Sequence, residues 1–144
     1  MNSVSSEIKR FAHSIGQNWY HIVLVPKARY PVFQWKETKD VAEKAFAYIC
    51  ERHKIDLFGS EIMPDHVHLF VSCPPNYSVR KLFRILKGGS SFYIRNNYPS
   101  LKKYPHLWNR GTMYRSIGNV SAETVKHYIE KSNKWLRTKQ KVLI

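Results

Sequence analysis

Two histidines stand one residue apart in the apolar segment MPDHVHLFVSC, residues 63–73. Side chains alternate between the two faces of a β-strand, so His66 and His68 would point the same way, about 7 Å apart. Two imidazoles on one face at that spacing can converge on a single divalent cation. The H-x-H pattern is short and common, and by itself it favours a pair of surface or hydrogen-bonded histidines. The spacing alone therefore leaves a metal site and a structural pair both open.

Two further residues bear on the choice. Asp65 adjoins the pair and could orient an imidazole, although capping of the turn before the strand is equally plausible. A divalent cation beside a basic surface would suggest phosphoryl transfer, which needs a nucleophile. Tyr128 differs from the other tyrosines because it borders the apolar stripe of a predicted last helix, with its hydroxyl at an edge. Without the histidines, an ordinary packing tyrosine would be the simpler interpretation.

The elements that must position these residues alternate between strands and helices. The sequence predicts four strands, at residues 18–27, 55–63, 66–73 and 112–120. It predicts helices at residues 36–53, from Ser78 as N-cap to 93 or beyond, and from 122 to about 139 after Ser121 as N-cap. This order predicts an α+β, ferredoxin-like βαββαβ fold, an antiparallel sheet with two helices on one face, plus a C-terminal helix that carries Tyr128. Gly88-Gly89 predicts a kink in the second helix or a close approach by a partner.

Length and hydropathy limit the class of protein. Residues 1–144 are expected to form a single domain with a real core. No apolar run is long enough to span a bilayer, and the first residues lack the apolar stretch of a secretory signal. We therefore expect a cytoplasmic protein without a membrane partner, whose Cys50 and Cys73 are reduced and fill the core.

The positive charge is concentrated in the second half of the chain. Residues 1–72 hold nine Lys or Arg against eight Asp or Glu, whereas residues 73–144 hold fifteen against two, and the chain carries +14 overall. This asymmetry predicts a polyanionic partner, nucleic acid before membrane. The residues expected to bind DNA are Arg80, Lys81, Arg84, Lys87, Arg95, Lys102, Lys103 and Arg110. The aromatic residues among them could stack on unpaired bases or pack the helix ends: Tyr93, Tyr98, Tyr104 and Trp108.

Four segments, in the right order, resemble the single-tyrosine HUH transposases of the IS200-like family, encoded by small insertion sequences of bacteria and archaea. HUH denotes histidine, a hydrophobic residue and histidine, here His66-Val67-His68. YHIVLVPKARYPVF is similar to the family's first strand and the loop after it, and LKGGSSFYIRNNYP to its basic second helix. LWNRGTMYRSIGNVSAETVKHYIE resembles the passage to the nucleophile and places it at Tyr128.

The resemblance implies a metal-dependent enzyme that cleaves and rejoins single-stranded DNA at the ends of its element. Tyr128 would form a 5′-phosphotyrosine and free a 3′ hydroxyl, with Mg²⁺ or Mn²⁺ held by His66 and His68. The resemblance also implies hairpins near the element's ends as the DNA partner. It further implies a homodimer, in which the last helix completes the site of either its own chain or the partner.

The third metal ligand departs from the family pattern. The family places a glutamine one helical turn after its tyrosine, and this chain has Ser132 there. In a regular helix Ser132 lies about 40° from Tyr128 around the axis and Asn133 about 140°. Ser132 has the direction but a shorter reach, and Asn133 has the amide but the wrong face, unless a π-bulge or a water intervenes. The expected third ligand is Ser132.

Three functions compete. The first is the transposase, and the second is a hairpin-binding module derived from the same family that does not cut. The third, an HUH nickase of replication or conjugation, is disfavoured because the chain is short and has no helicase or relaxase extension. A Tyr128→Phe substitution separates the first two, because it would abolish cleavage and leave hairpin binding nearly intact.

Overall fold

The computed structural model of the chain describes residues 9–10, 15–16, 18–118, 123–131 and 133. Two short strands that the sequence did not predict, β1 (Lys9–Arg10) and β2 (Ile15–Gly16), pair with each other. The main sheet contains β3 (Trp19–Leu24), β4 (Asp56–Met63), β5 (His66–Ser72) and β6 (Met113–Ile117). Two long helices are α1 (Lys36–Arg52) and α2 (Val79–Asn97), and 3₁₀ turns occur at Lys27–Arg29 and Pro99–Lys103. Residues 123–131 and 133 are also helical and are called the C-terminal helix.

The strand order of the main sheet confirms the predicted α+β, ferredoxin-like fold. The order is β4-β5-β3-β6, and every neighbouring pair is antiparallel. The first and third strands of the motif therefore lie in the centre, and the histidine strand β5 is an inner strand. Each predicted strand and long helix occurs within a few residues of its predicted bounds, because each has a clear apolar period.

The two faces of the sheet have different roles. Ile22 and Leu24 on β3 and Val67, Leu69 and Val71 on β5 face α1 and α2 and form the main core. The alternate residues face the opposite side, where the C-terminal helix packs on a second apolar cluster of Trp19, Phe70 and Ile117. His66 and His68 point to the same side, as the alternation of the strand predicts, and that side is away from the main core.

Helix α2 begins as predicted and continues through its glycine pair. The Ser78 hydroxyl accepts a hydrogen bond from the Lys81 backbone N–H at 3.0 Å, which makes Ser78 the N-cap. The helix is unbroken at Gly88 and Gly89, so of the two predicted alternatives, a kink or a close approach, the close approach applies. The close approach is instead to α1, because a Cβ on Gly89 would lie 2.7 Å from the Cδ1 of Ile49.

Two further predictions concern the rest of the described chain. Cys50 and Cys73 are buried free thiols, as expected of core residues. No helix in the described ranges is long and apolar enough to cross a membrane. The predicted N-cap Ser121 and the basic residues after position 133 lie outside the described residues.

Candidate active site

The histidine pair lies at the start of β5, directly after the turn at Pro64-Asp65. His66 and His68 are 7% and 0% exposed, so neither is an ordinary surface histidine. Their rings meet nearly at right angles, with centroids 4.9 Å apart. The strand therefore turns both imidazoles towards one point on the face that the C-terminal helix covers.

The group at that point is the side-chain amide of Asn133. Its Oδ1 lies 2.7 Å from Nε2 of His66 and 3.2 Å from Nε2 of His68. Two ring nitrogens and an amide oxygen thus lie in one place, although the helical period predicts the wrong face of the helix for Asn133. Ser132, the expected third ligand, lies outside the described residues.

The packing of the C-terminal helix explains why Asn133 reaches the histidines. Val125, Tyr128 and Ile129 pack on the second apolar cluster. Measured around the axis from Tyr128, Val125 lies at about 60°, Ile129 at about 100° and Asn133 at about 140°. The contact face is therefore centred between Val125 and Ile129, and Tyr128 and Asn133 flank it on opposite sides. Tyr128 lies at one edge of the contact face and not at its centre. The angle of about 140° between Tyr128 and Asn133 therefore does not turn Asn133 away from the sheet.

The Nδ1 atom of His66, on the ring edge away from Asn133, contacts a carboxylate. Asp65 Oδ1 lies 2.8 Å from Nδ1 of His66, and Asp65 Oδ2 accepts a hydrogen bond from Nη2 of Arg29 at 2.6 Å. Burial alone would raise the pKa of Asp65, but the hydrogen bond with His66 and the charge of Arg29 outweigh it and lower that pKa. The structure thus gives Asp65 the orienting contact considered from the sequence, and it adds Arg29, which no pattern in the sequence indicates.

The Nδ1 atom of His68, on the ring edge away from Asn133, contacts another histidine. Nδ1 of His68 lies 3.1 Å from Nε2 of His21 on the neighbouring strand β3. Burial, followed by the charges of its two histidine neighbours, lowers the pKa of His68 to about 3. Burial, followed by the charge of Arg115, lowers the pKa of His21 to about 4. Both rings are therefore neutral at neutral pH, which is the form that binds metals.

Tyr128 lies on the same face of the sheet as the histidines. It is half-buried, and its ring centroid lies 5.7 Å from that of His21 at 44°. The guanidinium of Arg115 on β6 lies 5.6 Å from the centroid of the same ring. The structure thus places the predicted nucleophile on the histidine face of the sheet, in ring contact with His21, and it places a cation beside the tyrosine.

The predicted DNA-binding residues fall into two groups. Those with exposed side chains on α2 and in the loop after it are Arg80, Lys81, Arg84, Lys102, Lys103 and Arg110. The other two, Lys87 and Arg95, bind backbone carbonyls. The Lys87 ammonium donates to Asn109 O, Arg110 O and Thr112 Oγ1 at 2.8–3.1 Å, and burial lowers its pKa. Nη2 of Arg95 donates to Tyr104 O at 2.9 Å. These two cations therefore hold the loop against α2.

Most of the aromatic residues of this region pack against the protein core. Trp108 is buried and donates from Nε1 to Ser90 Oγ at 2.9 Å, so it is a core residue. Tyr93, Tyr98 and Tyr104 pack partly against the main core. The packing alternative considered from the sequence therefore applies to Trp108.

The fold and this site define the class of protein. A ferredoxin-like sheet whose inner strand carries His-Val-His, covered on that face by a tyrosine-bearing helix, is the architecture of the HUH class. The family model "Transposase IS200 like" matches residues 14–132. The chain therefore belongs to the IS200-like transposase family, and membership implies a DNA-cleaving, strand-transferring enzyme.

Individual relatives agree with this assignment over most of their length. The transposase for insertion sequence element IS200 of Salmonella typhimurium is 30% identical over 128 residues, covering 85% of this chain and 84% of that one. The ISDra2 transposase TnpA of Deinococcus radiodurans is 28% identical over 127 residues, covering 86% and 90%.

Two solved structures share the fold. A crystal structure of a candidate transposase from Deinococcus radiodurans superposes with a TM-score of 0.70 at 25% identity, covering 85% of this chain and 96% of that chain. A REP-associated tyrosine transposase bound to a REP hairpin superposes with a TM-score of 0.54 at 14% identity, covering 86% and 68%. The second likeness supports the fold only.

Proposed function

We propose that this transposase cleaves and rejoins single-stranded DNA at the ends of an insertion sequence, with Tyr128 as its nucleophile. The observation that carries the proposal is the gathering of Tyr128, Asn133 and the two histidines on one face of the sheet. Because Tyr128 and Asn133 belong to the same helix, docking of that helix places the proposed nucleophile and the amide on the histidine face of the sheet together.

The proposed chemistry exchanges one phosphodiester for another. Tyr128 Oη attacks the phosphorus and loses its phenolic proton, a Tyr–O–P bond forms to the 5′ phosphate, and the bond to the 3′ oxygen breaks. The released 3′ oxygen takes up a proton. The energy of the ester bond is kept in the phosphotyrosine, so a later attack by a 3′ hydroxyl can rejoin the strand without a high-energy cofactor.

The proposed cofactor is Mg²⁺ or Mn²⁺, held by His66, His68 and Asn133. In the described part of the chain no three His, Cys, Asp or Glu side chains form a metal-binding group. The donor set is instead two imidazoles and an amide oxygen, whose atoms already converge within 2.7–3.2 Å. The amide oxygen is a ligand type that both Mg²⁺ and Mn²⁺ accept, and N/O sites of this kind bind first-row divalent ions, Mn²⁺ among them. A bound ion would neutralise charge on a phosphate oxygen and favour loss of the phenolic proton.

The proposed DNA partner is a single strand that carries a hairpin. The exposed cations of α2 and the following loop could contact its phosphates, and the fold neighbour named above binds a REP hairpin. We further propose that the protein acts as a homodimer, which light scattering of the protein with and without DNA would test.

Gly118 lies before the C-terminal helix and is the proposed hinge for exchange of that helix between subunits. An added Cβ there would meet no atom within 4 Å.

The test compares wild type and Tyr128→Phe on labelled single-stranded DNA from the flanks of the chain's own gene, with Mn²⁺, on a denaturing gel. Wild type is expected to give a labelled protein band and Tyr128→Phe none, while both shift the DNA on a native gel. Tyr114→Phe is the matched control, because Tyr114 is exposed on β6 but contacts Phe83 on the helix side of the sheet. A native-gel shift without any cleavage by wild type would favour the non-cutting hairpin-binding module.

A further inference from the structure

His21 is a buried polar residue that the proposed chemistry does not use. It lies on β3 opposite Phe70 in the ladder, is 2% exposed and stacks on the Phe70 ring at 4.5 Å with an angle of 6°. Its ring and that of His68 are within 18° of coplanar, with centroids 5.3 Å apart and Nε2 to Nδ1 at 3.1 Å. This geometry is an in-plane hydrogen bond between two imidazole edges.

The hydrogen bond matters because a neutral imidazole has one N–H and one lone pair. A cation binds to the lone pair of a ring nitrogen, and the side of His68 that faces Asn133 is Nε2. His68 then needs its proton on Nδ1, where a buried N–H requires an acceptor. Nε2 of His21 lies at hydrogen-bonding distance from that atom.

We propose that His21 is a positioning residue, which accepts the Nδ1–H of His68 and so presents the Nε2 lone pair of His68 to a divalent cation. This inference rests on the proposed metal site and names the residue that sets one of its ligands. His66 is set differently, because Asp65 receives its Nδ1–H. A neutral acceptor behind His68 and a carboxylate behind His66 orient both rings while adding a single negative charge.

The ring of His21 also contacts the tyrosine helix. Its centroid lies 5.7 Å from that of Tyr128, so the same side chain contacts both a ligand and the nucleophile. Loss of activity after a substitution at His21 would therefore not separate the two contacts. Metal affinity in the absence of DNA does separate them, because it depends on His68 and not on attack by Tyr128.

The test measures the Mn²⁺ dissociation constant by calorimetry at neutral pH without DNA. His21→Phe keeps an aromatic ring on Phe70 but removes the acceptor, and it is expected to weaken Mn²⁺ binding by about 10- to 100-fold. His21→Gln is expected to retain near-wild-type affinity, because its terminal amide lies as many bonds from Cβ as Nε2 of histidine does. His21→Asn is too short to reach His68 and is expected to behave like His21→Phe. His53→Gln, at the end of α1, is the control for binding by other histidines.

The outcomes distinguish this inference from the proposed function. If wild type binds Mn²⁺, His66→Ala and His68→Ala lose binding, and His21→Phe binds like wild type, the role of His21 is overturned and the metal site stands. If wild type itself does not bind Mn²⁺, the metal site fails and the role of His21 fails with it. Should His21→Phe not fold, equal affinity of the Gln and Asn variants would overturn the inference instead.

Discussion

At the scale of single residues, the candidate site depends on buried imidazoles that stay neutral. His68 and His21 lie side by side with pKa values lowered to about 3 and about 4, mainly by burial. Neutral rings can bind a cation or hydrogen-bond to each other, whereas protonated rings would repel a cation and would repel each other. The same burial therefore also makes the folded chain sensitive to acid.

We predict that the metal-free protein loses stability as the pH falls from about 6.5 to about 4. In this window the unfolded chain protonates His21 and His68 at their ordinary pKa, while the folded chain does not, so acid favours unfolding. The loss is at most about 1.4 kcal/mol per pH unit for each histidine. Urea unfolding with a chelator, at about pH 7 and about pH 5, measures it.

His21→Phe tests the assignment of this pH dependence. It removes one of the two titrating groups, so the difference in unfolding free energy between the two pH values should be about half as large as in wild type. The quantity compared is the difference in unfolding free energy between the two pH values, taken separately for wild type and for the variant. A change in stability that is equal at both pH values therefore cancels. An unchanged difference would show that other groups cause the acid sensitivity.

At the scale of elements, helix α2 carries both a packing contact and the exposed cations. Gly89 is pressed against Ile49 of α1, while an added Cβ on Gly88 would meet nothing within 4 Å. On the other side of the helix, Arg80 and Arg84 are exposed. The adjacent glycines, which predicted a kink or a close approach, are thus one packing position and one open position in a continuous helix.

This difference predicts opposite effects of the same substitution at adjacent positions. Gly88→Ala should raise the unfolding free energy by about 1 kcal/mol, because alanine favours the helix and nothing obstructs it. Gly89→Ala gains the same propensity but overpacks Ile49, which costs about 1–3 kcal/mol. Urea unfolding should therefore rank Gly89→Ala below Gly88→Ala. Adding Ile49→Val should restore part of the loss, and failure to do so would place the strain elsewhere.

At the scale of the whole molecule, the positive charge has two uses. Of the chain's net charge of +14, thirteen units belong to residues 73–144, which hold fifteen basic and two acidic side chains. Most of the described cations there are exposed, but Lys87 and Arg95 bind carbonyls of the chain itself. A count of basic residues therefore overstates the number available to phosphates.

Two substitutions should separate these uses. Arg84→Gln should weaken binding of single-stranded DNA and lower the slope of log affinity against log salt by about 0.7, the share of one phosphate contact. Lys87→Gln should leave that slope nearly unchanged but cost about 1–3 kcal/mol of stability, because the carbonyls of Asn109 and Arg110 lose a charged donor. Titrations between about 50 and 200 mM salt and urea unfolding measure the two quantities. A reduced slope for Lys87→Gln would make Lys87 a DNA contact after all.

Much of this protein follows from the sequence by itself. Apolar periods of two and of about 3.6 residues mark strands and helices, so the ferredoxin-like order and the inner face of β5 could be predicted. The alternation of a strand also places His66 and His68 together, and the apolar stripe of the last helix predicts that Tyr128 borders its packed side. These are short-range properties, which depend on residues close together in the chain.

Only the tertiary structure decided which distant residues complete the site. His21 meets His68 across 47 positions because of the register between β3 and β5. Asn133 reaches the histidines because the contact face of its helix is centred on Val125 and Ile129 and not on Tyr128. Lys87 binds a loop that folds back along α2. Register, helix rotation and loop path result from packing of the whole chain, and no local period of the sequence encodes them.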